Sequence, residues 1–307
     1  MVKITKLLES YLSFRERNSE GTKYTIKNPL ILLRQKGVIR LSNGQAIPFN
    51  KKNKTDILYF VFFLLENGIF VGRAKTQWKF NERLGIVETP TGIKFNIEKF
   101  DAGIMAETFV RDVHFIEGLK NKTVVQAGGF IGDTALYYAS LGATIYSFEP
   151  NSDYFKVGLQ NIELNPNLSP RIKFENLAIG EDGYVNFPLN DRLRGGGSIY
   201  NLEKMKTVRV KSASIETVLQ EYDIESPFLL DLDIKGAEFT VLKDKSIGKF
   251  EKVRIEYSPY ILKDSSASLS FLNDRLLEYG FKNIRIFKHS CGRDDLSIHG
   301  TLEAFKN

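Results

Sequence analysis

Residues Thr123 to Pro150 constrain the fold of this chain more than any other stretch. A short apolar run, Thr123 to Val125, passes through Gln126-Ala127 into Gly128-Gly129. An amphipathic segment follows from Asp133 to Leu141, and a second apolar run, Thr144 to Phe148, stops at Glu149-Pro150. The spacing predicts a strand, a glycine turn, a helix and a second strand ending on a carboxylate. That is the opening half of a nucleotide-binding α/β domain. Glycines let the backbone approach a ligand closely, and a carboxylate at a strand end accepts hydrogen bonds from ribose hydroxyls.

The glycine pattern discriminates between nucleotides. A dinucleotide site uses G-x-G-x-x-G, with a helix N-terminus facing the pyrophosphate. Here the glycines fall at 128, 129 and 132, and Asp133 opens the helix. A carboxylate there opposes a diphosphate but suits a cationic ligand without phosphate. S-adenosyl-L-methionine carries an amine and a sulfonium, so these residues favour it over NAD.

Helix and strand continue to alternate after Pro150. Asp153 to Leu164 reads as a helix ended by Asn165-Pro166, and Ile172 to Leu177 as a third strand. Ligands of open parallel sheets sit outside the carboxyl ends of the strands, which makes Asn176 and Ala178 candidate adenine neighbours. Tyr184 to Leu189 and Thr207 to Val210 read as an added β pair, with Arg194 to Ser198 a glycine-rich loop or lid between them. Phe228 to Ile234 reads as a buried central strand carrying Asp231 and Asp233, which period two puts on one face. Unpaired burial of both is costly, so Asp233 is expected at the strand's open end. Ala237 to Leu242 is the next helix with Glu238 in its first turn, and Val253 to Tyr257 a further strand bearing Glu256. Leu269 to Tyr279 reads as a helix, and Ile284–Phe287 with Thr301–Phe305 as a closing antiparallel pair.

Residues 1–105 read as a small α+β module. Ile4, Leu7, Leu8, Tyr11 and Leu12 follow helical spacing between Met1 and Arg17. Val38 to Leu41 and Ala46 to Phe49 flank an Asn-Gly hairpin turn. Asp56 is expected to cap a buried helix from Ile57 to Glu66. Strands are expected at Ile69–Gly72, Gln77–Phe80, Gly85–Glu88 and Lys94–Ile97, and a helix from Glu107 to Leu119 that includes His114. Trp78 and the phenylalanines read as core. The module carries 18 Lys/Arg against 9 Asp/Glu, including Lys51, Lys52 and Lys54, while the remainder is slightly acidic. This reads as a solvated surface or a contact for anionic partners, although no nucleic-acid motif accompanies it.

One cysteine excludes a disulfide framework and fits a reducing, cytoplasmic setting. No signal peptide is expected, and the nine apolar residues from Ile57 to Leu65 fall far short of the roughly 20 that cross a bilayer.

Together these residues resemble the FkbM family of S-adenosylmethionine-dependent methyltransferases, over roughly Phe109 to the C-terminus. The likeness rests on Val124 to Asp133, on Ser147 to Pro150, on Asn161 with Asn165, on Leu229 to Glu238, and on Ile255-Glu256. It implies an α/β, Rossmann-like class I methyltransferase sheet of seven strands, and O-methylation of a hydroxyl on a sugar, glycolipid or natural product. It also implies cofactor contacts at Gly128, Gly132, Asp133 and Glu149, with Glu149 on the ribose. Gln126, Gly129, Phe130, Pro150 and Asp231 are further cofactor-side candidates. Asp233 is the group expected nearest the reacting methyl, and Glu238 and Glu256 are further catalytic candidates. Two positions depart from the family pattern: Gln126 stands where an aspartate is usual, and Lys235 where a glutamate is common.

Three functions are weighed. The first is a small-molecule or glycan O-methyltransferase. The second is an RNA or protein methyltransferase that holds its substrate with the basic module, and the third is a non-catalytic nucleotide-binding protein prompted by Gln126. His289, Cys291 and His299 share a stretch but match no zinc spacing, so they read as ordinary loop residues and no metal is expected.

Overall fold

The computed structural model describes residues 26–42, 44–66, 78–81, 83–99, 101–110, 112–188, 206–262, 267–287, 296–297 and 299–306. The expected helix at Met1–Arg17, the strand at Ile69–Gly72, the Arg194–Ser198 loop, His289 and Cys291 lie outside them. Contacts divide the chain into two units, Met1–Phe115 and Ile116–Asn307.

In the first unit, β1 (Gly37–Arg40) and β2 (Ala46–Phe49) form the expected hairpin. Its turn closes by the Leu41 and Gln45 backbones, with Gly44 at φ +89°. Helix α1 runs from Lys54 to Glu66, so Asp56 lies in its first turn rather than capping it. The Asn53 carbonyl accepts from Ile57 N–H instead. Lys54, read as part of a basic surface cluster, is buried, and its Nζ donates to the Leu32 and Arg34 carbonyls at 2.8 Å each. Three short strands, β3 (Lys79–Asn81), β4 (Ile86–Glu88) and β5 (Lys94–Asn96), make an antiparallel sheet. Trp78 packs as core, edge-on to Phe60 at 4.7 Å between ring centroids.

The expected Glu107–Leu119 helix is displaced. Helix α2 spans Ala102–Phe109 and is capped by Asp101, which accepts from Gly103 and Ile104 N–H. Beyond it the backbone turns through left-handed residues at Asp112 (φ +59°), Gly118 (φ +86°) and Asn121 (φ +59°), so no helix can continue. His114 lies in this turning segment, buried.

The second unit is built on seven strands: β6 (Thr123–Ala127), β7 (Thr144–Phe148), β8 (Ile172–Glu175), β12 (Leu229–Leu232), β13 (Lys252–Tyr257), β14 (Asn283–Phe287) and β15 (Gly300–Phe305). Their order is β14-β15-β13-β12-β6-β7-β8. All neighbours are parallel except β15, which runs antiparallel to both β13 and β14. This is the Rossmann-like class I sheet that the resemblance implies. A smaller sheet joins β9 (Ala178–Ile179), β10 (Gly183–Pro188) and β11 (Thr207–Ala213), the last extending the expected Thr207–Val210 strand to Ala213.

Strand alternation gives the main sheet two different faces. Val125, Ala127, Leu230, Leu232, Val253, Ile255, Leu302 and Ala304 form an apolar core with helices α5 (Ile215–Glu221) and α7 (Leu269–Glu278). The alternate positions carry a polar row in register across six strands: Ser147, Gln126, Asp231, Arg254, Glu303 and Arg285. Helix α3 (Asp133–Ser140) reaches that face through Tyr138, whose hydroxyl donates to Asp231. Helix α4 (Ser152–Glu163) follows β7, and α6 (Glu238–Val241), a single turn, follows β12.

Candidate functional site

The glycine turn after β6 is fixed by close packing. Gly128 (φ +90°) and Gly129 both donate their N–H to the Phe148 carbonyl. A Cβ at Gly128 would lie 2.1 Å from the Asp233 carbonyl oxygen, and one at Gly129 2.5 Å from both Phe174 and Ser147 Oγ. No side chain fits at either position. Gly132 (φ +77°) leads into α3, and Asp133 is buried in the first turn, accepting from Thr134 Oγ1 at 3.2 Å.

Glu149 ends β7 beside this turn. Its Oε2 accepts from Phe130 N–H and its Oε1 from Asn151 N–H, both at 2.7 Å. Burial pushes its pKa up to about 8, against the two amides that favour the charge. Asn176 Nδ2 donates to the carbonyls of Glu149 and Pro150, at 2.8 and 3.1 Å, and so holds the turn that presents the carboxyl. Ala178 follows in β9, buried. Asn161 holds the loop from the other side by donating to the Ile131 carbonyl, and Asn165 donates to Asn161 O. Gly128, Gly129, Phe130, Glu149, Pro150 and Asn176 thus meet around one turn.

Two further cofactor-side candidates, Gln126 and Asp231, lie in the polar row. Gln126 Oε1 accepts from Ser147 Oγ at 2.7 Å. Asp231 Oδ1 pairs with Arg254 Nη1 at 2.9 Å, and its Oδ2 accepts from Tyr138 OH at 3.0 Å. Burial works against the Arg254 charge, and the adjacent Asp231 carboxylate outweighs it, raising the guanidinium pKa.

Asp233 lies just past the end of β12, where its N–H donates to the Ala127 carbonyl. Its Oδ1 is 2.6 Å from Lys235 Nζ, which is also 2.5 Å from Glu256 Oε1 at the end of β13. Lys235 takes a left-handed backbone (φ +47°) in the turn between β12 and α6. Burial opposes its charge, but the two carboxylates raise its pKa above the ordinary value. Glu238 is fully buried and serves as a brace: Oε2 accepts from Gly236 N–H at 2.6 Å and Oε1 from Ser258 N–H at 2.8 Å. Burial raises it to about 7.

His299, read from the sequence as an ordinary loop residue, joins this cluster. Its Nε2 is 3.9 Å from Glu256 Oε1, and its Nδ1 lies 3.2 Å from Ser258 Oγ and 3.3 Å from the Tyr257 carbonyl. The pairing of Tyr257 with Gly300 brings it there, and no local motif near His299 announces that register. Among the described residues no group of three or more His, Cys, Asp or Glu is arranged to hold a metal ion. No described helix is long and apolar enough to cross a membrane.

Comparison with curated proteins finds no match. Among solved structures, the chain is similar to a methyltransferase FkbM from Methylobacillus flagellatus KT, at 17% identity over 60% of this chain with a TM-score of 0.42. The match spans 43% of that protein's own length. It is also similar to a precorrin-6y C5,15-methyltransferase from Geobacter metallireducens GS-15, at 10% identity, 67% of this chain, 89% of that one and a TM-score of 0.40. A third is TrmK of M. capricolum in complex with S-adenosyl-homocysteine, at 14% identity, 64% and 66% coverage and a TM-score of 0.37. These scores are all low, and the weight rests on the family profile. The profile of the methyltransferase FkbM domain matches residues 126–283, a span that takes in the glycine turn, Glu149, Asp233, Lys235 and Glu256. The chain belongs to the FkbM methyltransferase domain family.

Proposed function

We propose that this protein is an S-adenosylmethionine-dependent O-methyltransferase acting on a hydroxyl of a sugar, glycolipid or other small molecule. In this reading residues 106–307 carry the cytoplasmic enzyme and residues 1–105 form an attached basic module. The observation that carries it is Glu149, bracketed by two backbone amides at the end of β7, beside glycines that admit no Cβ.

The residues present fit the cofactor. Gly128 and Gly129 let the turn pack tightly against Asp233, Phe174 and Ser147 beside Glu149, and each Glu149 oxygen keeps a lone pair for a ribose hydroxyl after accepting its amide. Asp133 supplies acidic character that suits an amine and a sulfonium. When bound, S-adenosylmethionine supplies a methyl group on a positively charged sulfur. The protein's own part is to bind, align and dehydrate the reacting pair. Asp233, Lys235 and Glu256 form the polar wall that an acceptor hydroxyl would meet.

Calorimetric titration of the purified protein with S-adenosylmethionine, S-adenosylhomocysteine and NAD tests this reading. Binding of the first two, lost in Glu149→Ala, is the expected result. Binding of NAD alone, or of none of the three, overturns it.

A further inference from the structure

Lys235 changes what its two carboxylate neighbours can do. Its ammonium bridges Asp233 and Glu256 at 2.6 and 2.5 Å. A proton taken up by either acid would therefore weaken an ion pair with Lys235, and at Glu256 a charge-assisted hydrogen bond as well. Both are catalytic candidates by sequence, and the bridge suits them to act as counter-ions. The next titratable group in the cluster is His299, whose Nε2 faces Glu256. The Tyr257 carbonyl beside Nδ1 can only accept, Ser258 Oγ can accept or donate, and Glu256 Oε1 at 3.9 Å is beyond hydrogen-bond reach of Nε2, so these contacts suit the ring form that carries its proton on Nδ1. That form puts the lone pair on Nε2. Tyr257 also steadies the approach of this segment, because its hydroxyl donates to the Leu296 carbonyl at 2.6 Å. The cluster is continuous with the glycine turn: the Asp233 carbonyl is the atom that a Cβ at Gly128 would strike.

We propose that His299 is the catalytic base of this site and takes the proton of the acceptor hydroxyl, with Glu256 stabilising the imidazolium and Lys235 fixing both carboxylates. The proposal rests on the methyltransferase reading. The acceptor oxygen bonds to the methyl carbon as the carbon–sulfur bond of the sulfonium breaks, and that electron pair stays on sulfur. The hydroxyl proton passes to His299 Nε2 and then to solvent, leaving a methyl ether and a thioether. The described charged groups near the ring are Glu256 on β13, Lys235 and Asp233 in the turn after β12, and Glu238, which holds Ser258 N–H.

The chain has three histidines, so nitrogen-15 NMR of the full chain labelled at histidine reads this ring directly. Signals lost in His299→Gln, and again in His299→Asn, identify it. We expect the neutral ring to carry its proton on Nδ1, and its titration midpoint to fall by about one pH unit in Glu256→Gln as the counter-charge is removed. A neutral ring protonated on Nε2, or a midpoint that Glu256→Gln leaves unmoved, overturns the assignment. Calorimetry with S-adenosylmethionine separates this proposal from the reading beneath it. Wild type and His299→Gln are expected to bind it alike, because the role proposed for the ring is toward the acceptor. Loss of binding confined to His299→Gln overturns the base assignment alone. Failure of both proteins to bind overturns the methyltransferase reading and the base with it.

Discussion

Asp231 and Asp233 stand two residues apart, and each meets a cation, yet their surroundings differ. Asp231 lies within β12 and is 1% exposed; its partner Arg254 is completely buried on the neighbouring strand. Asp233 lies past the strand end, with its side chain 28% and that of Lys235 19% exposed. Inside the ladder water is excluded, so attraction and hydrogen bonding must together offset the desolvation of both charges. Tyr138 helps by donating to Asp231. Arg254 Nε and Nη2 meet no acceptor among the described residues, which leaves Asp231 as the partner that justifies the buried guanidinium. At the open end water still reaches the pair, and its geometry can adjust to a ligand. One strand therefore leads from a buried ion pair to a partly exposed one two residues on.

Removing the buried cation should be the costliest way to disturb this contrast. Arg254→Met leaves Asp231 buried without its counter-charge, and we expect a loss of about 3 to 5 kcal/mol in chemical denaturation. Adding Asp231→Leu should recover most of it. If the single variant unfolds like wild type, the pair is not structural. Gly128→Ala comes next, because its Cβ would collide with the Asp233 carbonyl that joins the two regions. We expect a loss of about 2 to 3 kcal/mol together with loss of S-adenosylmethionine binding by calorimetry. Lys235→Met should cost less, about 1 to 2 kcal/mol, because solvent screens this end. A loss as large as that of Arg254→Met would erase the distinction between the two pairs.

The smallest effect is a pH slope. Burial raises Glu149 to about 8 and Glu238 to about 7. Each carboxyl binds more protons folded than unfolded. Its contribution is therefore fully present below the ordinary glutamate range and is lost as pH rises through 7 and 8. Unfolding free energy should decline from pH 5 to 8 and then level off. Glu238→Gln and Glu149→Gln should each flatten that decline, and an unchanged slope in both would refute the assignment.

The glycine turn was legible because a turn is encoded locally: glycines where φ is positive, then a helix, then a strand ending on Glu149. The strands of the main sheet were legible by the same logic of period and apolar run. The helix expected at Glu107–Leu119 failed because apolar spacing continues where Asp112, Gly118 and Asn121 turn the backbone left-handed. Lys54 failed for a different reason: a lysine in a basic run gives no sign that two carbonyls some 20 residues earlier will take its ammonium. Asp231 is a cofactor-side candidate by sequence, and nothing local announces that Arg254 and Tyr138 will each engage one of its oxygens within the sheet.

By itself, then, the sequence determined where the main-sheet strands fall along the chain, the glycine turn, the carboxylate at the end of the second strand and the family. Dihedral preference and alternation act over a few residues, so they can be read from a few residues. Only the tertiary structure decided that Glu238 is a brace, that Lys235 joins Asp233 to Glu256, and that His299 comes within 3.9 Å of that pair. Those contacts depend on register between strands far apart in the chain, as when Tyr138 meets Asp231 across 93 residues. Register is settled by the whole packed sheet, and no single segment carries it.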